Sequence, residues 1–243
     1  MAILKDFSIQ LYSVRDEAQK DFAATLEKVA KMGYTGVEFA GYGGFSPGEM
    51  CELLAKTGLK AVSSHVSIEN MSDNFDAETE MNKAVGNDWL VIPWYDFSGG
   101  TDAVDEFCEK LSLVMPKLKA AGFKVGYHNH DGEFAKIGDR YIMDILLERN
   151  PDLFLEFDIY WAAYADVDYM KYIENHRDQL KLLHVKQIAA DGSKKCVDLD
   201  EGAIDFADVV AKCSSVEHFI FEQEEYDVSS LHSAELGARY ILG

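Results

Sequence analysis

Proline is scarce in this chain, with 4 in 243 residues, and positive charge is outnumbered, with 23 Lys and Arg against 43 Asp and Glu. So few prolines leave no stretch of linker composition. No short-period repeat or low-complexity run breaks the chain either, so it reads as one domain spanning residues 1–243. The net charge of −20 opposes binding to a phosphate backbone, which depends on cationic side chains. Nucleic acid is therefore not an expected partner. No apolar run reaches the length of a membrane-spanning helix, so no membrane partner is expected. The opening MAILKDFSIQ has neither the basic start nor the apolar core of a secretion signal. Cysteine is sparse as well: Cys51, Cys108, Cys196 and Cys213 lie far apart and form no CxxC pair. Such spacing suits reduced thiols in a cytoplasmic protein rather than a disulfide framework or a zinc knuckle. A phosphate loop is also missing, since Gly41-Tyr42-Gly43-Gly44 lacks the Lys-Ser/Thr ending.

What the chain does have is a regular alternation of two patterns. Strand-like runs fall near residues 6–12, 35–40, 59–66, 89–94, 123–129, 153–158, 180–186 and 217–223. Helix-like segments such as Phe22–Met32 and Val104–Ala121 lie between them, and Gly33, Gly58 and Gly122 stand at helix ends, where a left-handed C-cap is expected. Strand–helix alternation predicts an α/β fold with a parallel sheet. Eight units in about 250 residues favour closure into a (β/α)8 TIM barrel, with an open doubly wound sheet as the structural alternative.

Three of the late strands stop on a metal-ligand type: LFLEFD on Asp158, LKLLH on His184 and HFIFE on Glu222. Strand ends of a parallel barrel converge on one face, where active sites sit. Side-chain alternation sorts the rest. Phe154, Glu156 and Asp158 share one face, as do Leu182, His184 and Lys186, and His218, Ile220, Glu222 and Glu224. The other face carries Leu155, Phe157, Leu183, Val185, Phe219 and Phe221, which suit packing against helices. In the fifth strand His128 and His130 point together and Asn129 points away. Carboxylates with one imidazole form a hard or borderline site for a divalent ion, Mn²⁺ first, with Mg²⁺ or Zn²⁺ as alternatives. Such an ion polarises a carbonyl and eases removal of the neighbouring proton by a Glu or His base. Isomerisation, epimerisation and β-elimination of sugars can all begin this way.

The chain resembles the xylose isomerase-like TIM barrel superfamily, and within it the sugar phosphate isomerase/epimerase group. The match is carried by Gln10–Arg15 (QLYSVR), Val37–Tyr42 (VEFAGY), Ser64-His65, Tyr127–Phe134 (YHNHDGEF), Phe157–Trp161 (FDIYW), Leu183–Lys186 (LHVK) and Phe221–Gln223 (FEQ). The resemblance implies a metal-dependent sugar or keto-sugar isomerase or epimerase with an ion held at the ends of strands five to eight. Asp158, His184 and Glu222 match three ligand positions. The fourth departs from the family pattern, because His128-Asn129-His130 stands where many relatives have Glu-Asn-His. Glu133 is the favoured fourth ligand, with His128 or His130 as the acid–base group; the alternative is His128 itself as ligand. That departure also suits a lyase eliminating the aglycone from a 3-oxo-glycoside, including C-glycosides. A non-catalytic sugar-binding accessory subunit is the remaining alternative. Glu222 and Lys186 are further catalytic candidates. Glu38 and His65 are candidates for binding sugar hydroxyls, and Tyr12 and Trp161 for an apolar wall against a sugar ring. The expected partner is a small carbohydrate, neutral rather than phosphorylated, since only Lys186 and Arg15 are basic near the mouth. A homo-oligomer is compatible with the sequence.

Overall fold

The computed structural model describes residues 2–243. Eight strands, all paired in parallel, close a barrel. In barrel order they are β1 Ser8–Gln10, β2 Gly36–Phe39, β3 Lys60–His65, β4 Trp89–Ile92, β5 Lys124–His128, β6 Phe154–Asp158, β7 Leu180–Val185 and β8 His218–Phe221. The barrel closes where β8 pairs with β1, Ile220 opposite Ser8. An open sheet is thereby excluded. Each strand falls within the run expected for it, and the strands are shorter because their ends turn into loops. β4 shows the reason: its ladder ends at Ile92, and the next residue is Pro93, which has no N–H to donate.

The helices form the outer layer. Phe22–Met32 begins on Asp21, whose side chain accepts from the Ala24 N–H, and ends on Gly33 at φ +106°. Pro47–Thr57 opens with a Ser46/Glu49 capping box and ends on Gly58 at φ +75°. Both follow the expected start and stop chemistry. Among the described residues, no helix is long and apolar enough to cross a membrane.

Two apolar clusters divide the interior. The larger lies between strands and helices and includes Val37, Phe39, Leu155, Phe157, Leu183, Val185 and Phe221. The smaller, Val62, Val91, Phe154, Leu182 and Ile220, fills the barrel itself. Gly126 makes this plug fit: a Cβ there would lie 2.1 Å from the Phe154 ring. Above the plug the inward side chains become polar. Glu38, Glu156, Asp158, His184, Lys186 and Glu222 are all buried there. The one inward face thus changes from apolar to ionisable along each strand, and this change positions the site.

Candidate metal centre and active site

β5 to β8 bring together His128, Asp158, His184 and Glu222. One ligand atom from each lies within 4.8 Å of the others. Bonds of about 2.0–2.2 Å from nitrogen and carboxylate oxygen fit inside such a group. Asn129 keeps two of these strands in step. Its side chain accepts from the Asp158 N–H at 3.0 Å and donates to the Asp158 carbonyl at 3.1 Å. The outward-facing residue between two histidines therefore ties β5 to β6.

Asp158 divides its carboxylate between two tasks. Oδ1 accepts from the Trp161 N–H at 3.1 Å and caps the helix Ile159–Tyr164. Oδ2 is buried without a hydrogen-bond partner, as is Nδ1 of His128. Orphaned buried acceptors are costly, and a cation would satisfy them. Burial, reinforced by the Glu222 carboxylate and opposed by Lys186, pushes the Asp158 carboxyl up to about 7. This donor set fits a borderline divalent ion.

His184 is held at both ring nitrogens. Nε2 lies 2.8 Å from Glu38 Oε1, and Nδ1 lies 3.3 Å from Glu222 Oε2. Burial alone would lower its pKa, but Glu156, Glu222 and Glu38 outweigh that and hold it well above the usual histidine range. A carboxylate behind a ligating histidine fixes its tautomer and orientation. Glu38 would have that position if His184 held an ion, and it lies behind the ring rather than against the cavity where a sugar hydroxyl was expected. It is fully buried, accepts from Gln10 Nε2 at 2.7 Å and Ser63 Oγ at 2.5 Å, and does not border the cavity.

Glu133, the favoured fourth ligand of the sequence reading, is held away from this group. Both oxygens of Glu133 are occupied elsewhere: Tyr127 Oη donates at 2.6 Å and the His130 N–H at 2.8 Å. Glu133 is in neither cluster of candidate ligands, whereas His128 is in both. The short helical turn Gly132–Phe134 directs the carboxylate back to its own loop. His128, the alternative, occupies the place beside Asp158 and His184.

A second cluster lies against the first. His65, His128, Glu156 and His184 also have ligand atoms within 4.8 Å of one another. His65 Nε2 is 2.7 Å from Glu156 Oε2 and 3.2 Å from Glu38 Oε1. Burial would raise the Glu156 carboxyl, but His184 and His65 hold it well below the usual carboxylate range. Sequence alternation places Glu156 on the inward face but assigns it no role. Its position two residues before Asp158 on that face was the available signal.

Lys186 is surrounded by carboxylates. It pairs with Glu224, with Glu222 at 3.3 Å and with Asp158 at 3.9 Å, and its ammonium lies 4.8 Å from the Trp161 ring centroid. Desolvation is overcome by these anions, so its pKa is raised. Arg15 is also engaged, donating to the carbonyls of Tyr12 and Glu224.

A cavity of about 380 Å³ opens over this floor, bordered by Tyr12, His65, Trp94, His128, His130 and Glu222 among others. Trp161 does not border it. Its ring packs against His130, with centroids 5.3 Å apart, and against Tyr160. Trp94 is the aromatic wall instead. The sequence expectation placed Trp94 at the end of a strand, and its exposure follows from Pro93 ending β4 one residue earlier.

The profile of the family described as xylose isomerase-like TIM barrel matches residues 26–226. The chain belongs to that family. Among solved structures, it is similar to two sugar phosphate isomerase/epimerases from Parabacteroides distasonis. One is 26% identical with a TM-score of 0.80, over 98% of this chain and 97% of that one. The other is 23% identical with a TM-score of 0.78, over 97% and 93%. The apo form of 3-keto-D-glucoside 4-epimerase from E. coli shares the fold at 13% identity and a TM-score of 0.65, over 91% and 94%. Comparison with curated proteins found no match.

Proposed function

We propose that this protein is a divalent-metal-dependent isomerase or epimerase of a sugar or keto-sugar, working by proton removal next to a carbonyl. The observation that carries the reading is the buried His128, Asp158, His184 and Glu222 group under a cavity that His130 also borders. Mn²⁺ is the first candidate for the ion, with Mg²⁺ or Zn²⁺ as alternatives. Bound there, the ion would polarise a substrate carbonyl and acidify the neighbouring C–H.

The remaining chemistry belongs to the side chains. His130 borders the cavity, and burial lowers its pKa, keeping the ring neutral and ready to accept a proton. Glu222 also borders the cavity and would face the reacting carbon from the metal side. Lys186 stays cationic and compensates negative charge gathering on Glu222 and the substrate oxygen. His65, held by Glu156, would hydrogen-bond a sugar hydroxyl. Tyr12 would cover the ring from the cavity rim.

Solvent exchange tests the proposal. Keto-sugars are incubated with the Mn²⁺-loaded protein in D₂O and followed by proton NMR. Loss of the signal next to the carbonyl together with isomer formation is the expected result. Exchange with release of a leaving group would instead assign the elimination of a 3-oxo-glycoside. Absence of exchange across the panel would favour a sugar-binding role without catalysis.

A further inference from the structure

The barrel mouth carries an aromatic rim that the buried ionisable cluster does not require. Among the described residues, five large hydrophobic side chains are exposed, and two of them, Tyr12 at 44% and Trp94 at 58%, border the same cavity. Single exposed apolar side chains are ordinary. Two flanking one concave polar site form the wall of a ligand pocket.

Trp94 and His130 also border a second hollow of about 310 Å³, whose other sides include Tyr95, Phe97, Ala135 and Ile142. The two hollows share one wall. On one side the floor is His65, His128 and Glu222; on the other Tyr95, Phe97, Ala135 and Ile142 stand together with Asp96, Ser98, Asp131 and Glu133. A ligand that reaches both must pass over Trp94 and His130. Neither hollow is lined by Lys or Arg, and the second includes the carboxylates of Asp96 and Asp131. Those acids, in a chain of net charge −20, disfavour an anionic group and would accept hydrogen bonds from a hydroxyl.

We infer that the site is bipartite and takes a glycoside with a neutral aryl aglycone. The sugar ring lies over the polar floor, and the aryl group lies in the second hollow with its face on the Trp94 indole. Offset or edge-on contact with an indole is the favourable geometry for such a ring. The inference rests on the reading that the polar hollow binds a sugar, and it names the substrate class beyond that reading. It also gives His130 a position at the junction of the two parts, next to the bond that joins them.

Binding of three probes to the full chain, measured by calorimetry and tryptophan fluorescence, tests this: methyl β-D-glucopyranoside, phenyl β-D-glucopyranoside and phenol. The phenyl glycoside is expected to bind about tenfold or more tighter than the methyl glycoside. Trp94→Ala should bring the two within about twofold, and Trp94→Phe should keep most of the preference. Both variants lie at an exposed position, and unchanged melting confirms that they fold. Equal binding of the two glycosides to the unaltered protein would overturn the inference and leave the sugar reading standing. Binding of phenol and the phenyl glycoside alike, with none of the methyl glycoside, would support the aryl subsite and overturn the sugar reading. No binding by any probe would overturn the inference, and the sugar reading would then rest on the solvent-exchange result alone.

Discussion

Glu38 Oε1 stands 2.8 Å from His184 Nε2, while the opposite ring nitrogen of His184 lies 3.3 Å from Glu222 Oε2. The imidazole is thereby held between a carboxylate from β2 and the candidate ligand group on β8. With a cation bound in place of the Nδ1 proton, the neutral ring would keep its Nε2 proton toward Glu38 and offer Nδ1 to the ion. Replacing Glu38 by Gln keeps the shape and removes the charge. Mn²⁺ affinity should then fall by about 10- to 100-fold, the usual cost of losing such a supporting carboxylate. Calorimetric titration checks it, and an unchanged affinity would assign Glu38 to packing alone.

The choice between His128 and Glu133 can be read from metal content. After dialysis, Asp158→Ala and His128→Ala should both lose stoichiometric metal by elemental analysis. Glu133→Gln should retain it, because its carboxylate serves Tyr127 and the His130 N–H. The reverse pattern for His128 and Glu133 would restore Glu133 as the fourth ligand.

His130 borders the cavity without belonging to either ligand cluster. Its replacement by Ala should lower proton exchange on the substrate by a factor of about 10² or more, with metal content kept. Full activity in that variant would move the base to Glu222.

Phosphorylated sugars should be the poorer substrates. Lys186 is surrounded by Asp158, Glu222 and Glu224, and Arg15 is tied to two carbonyls, so neither cation is free to hold a dianion. In competition assays the neutral sugar is expected to win. The advantage should change little with moderate salt, since no long-range steering is involved. A clear preference for the phosphorylated sugar would identify Lys186 as its anchor.

Gly126→Ala tests the apolar plug. The added methyl would meet the Phe154 ring at 2.1 Å, and overpacking of this kind costs about 1–3 kcal/mol. Thermal melting should fall by roughly 2–4 °C for each kcal/mol in a chain of this size. An unchanged melting temperature would mean that the plug can shift freely.

Much of the architecture was legible in the residues themselves. The eight apolar runs became the eight strands, because a strand buried in a barrel must be apolar toward its helices. Leu155, Phe157, Leu183 and Val185 are in the outer core as alternation required. Alternation also put Glu156, Asp158, His184, Lys186 and Glu222 on the inward face. Asp158, His184 and Glu222 each end an apolar run, and the barrel brings them together.

Other relationships arose only when the barrel closed. Side-chain period says which face a residue occupies but nothing of its distance from a residue several strands away. That distance depends on strand tilt and stagger. So Glu38, on the second strand, reads as a sugar-binding group, and closure of the barrel sets it behind His184 on the seventh. Glu133 and His128 are five residues apart, and sequence alone could not say which reached the centre. The turn at Gly132–Phe134 sends Glu133 back to Tyr127, and it is His128 that lies with Asp158, His184 and Glu222. Trp94 reads as one more apolar residue at the end of a strand. Only the break at Pro93 and the curvature of the mouth leave its ring facing open space. The sequence by itself determined the barrel, its apolar outer layer and the polar end of its interior, because these follow from local periodicity. Which inward side chains meet, which carboxylate lies behind His184 and which residues border the cavity were decided by tertiary structure, because they depend on distances across the closed ring.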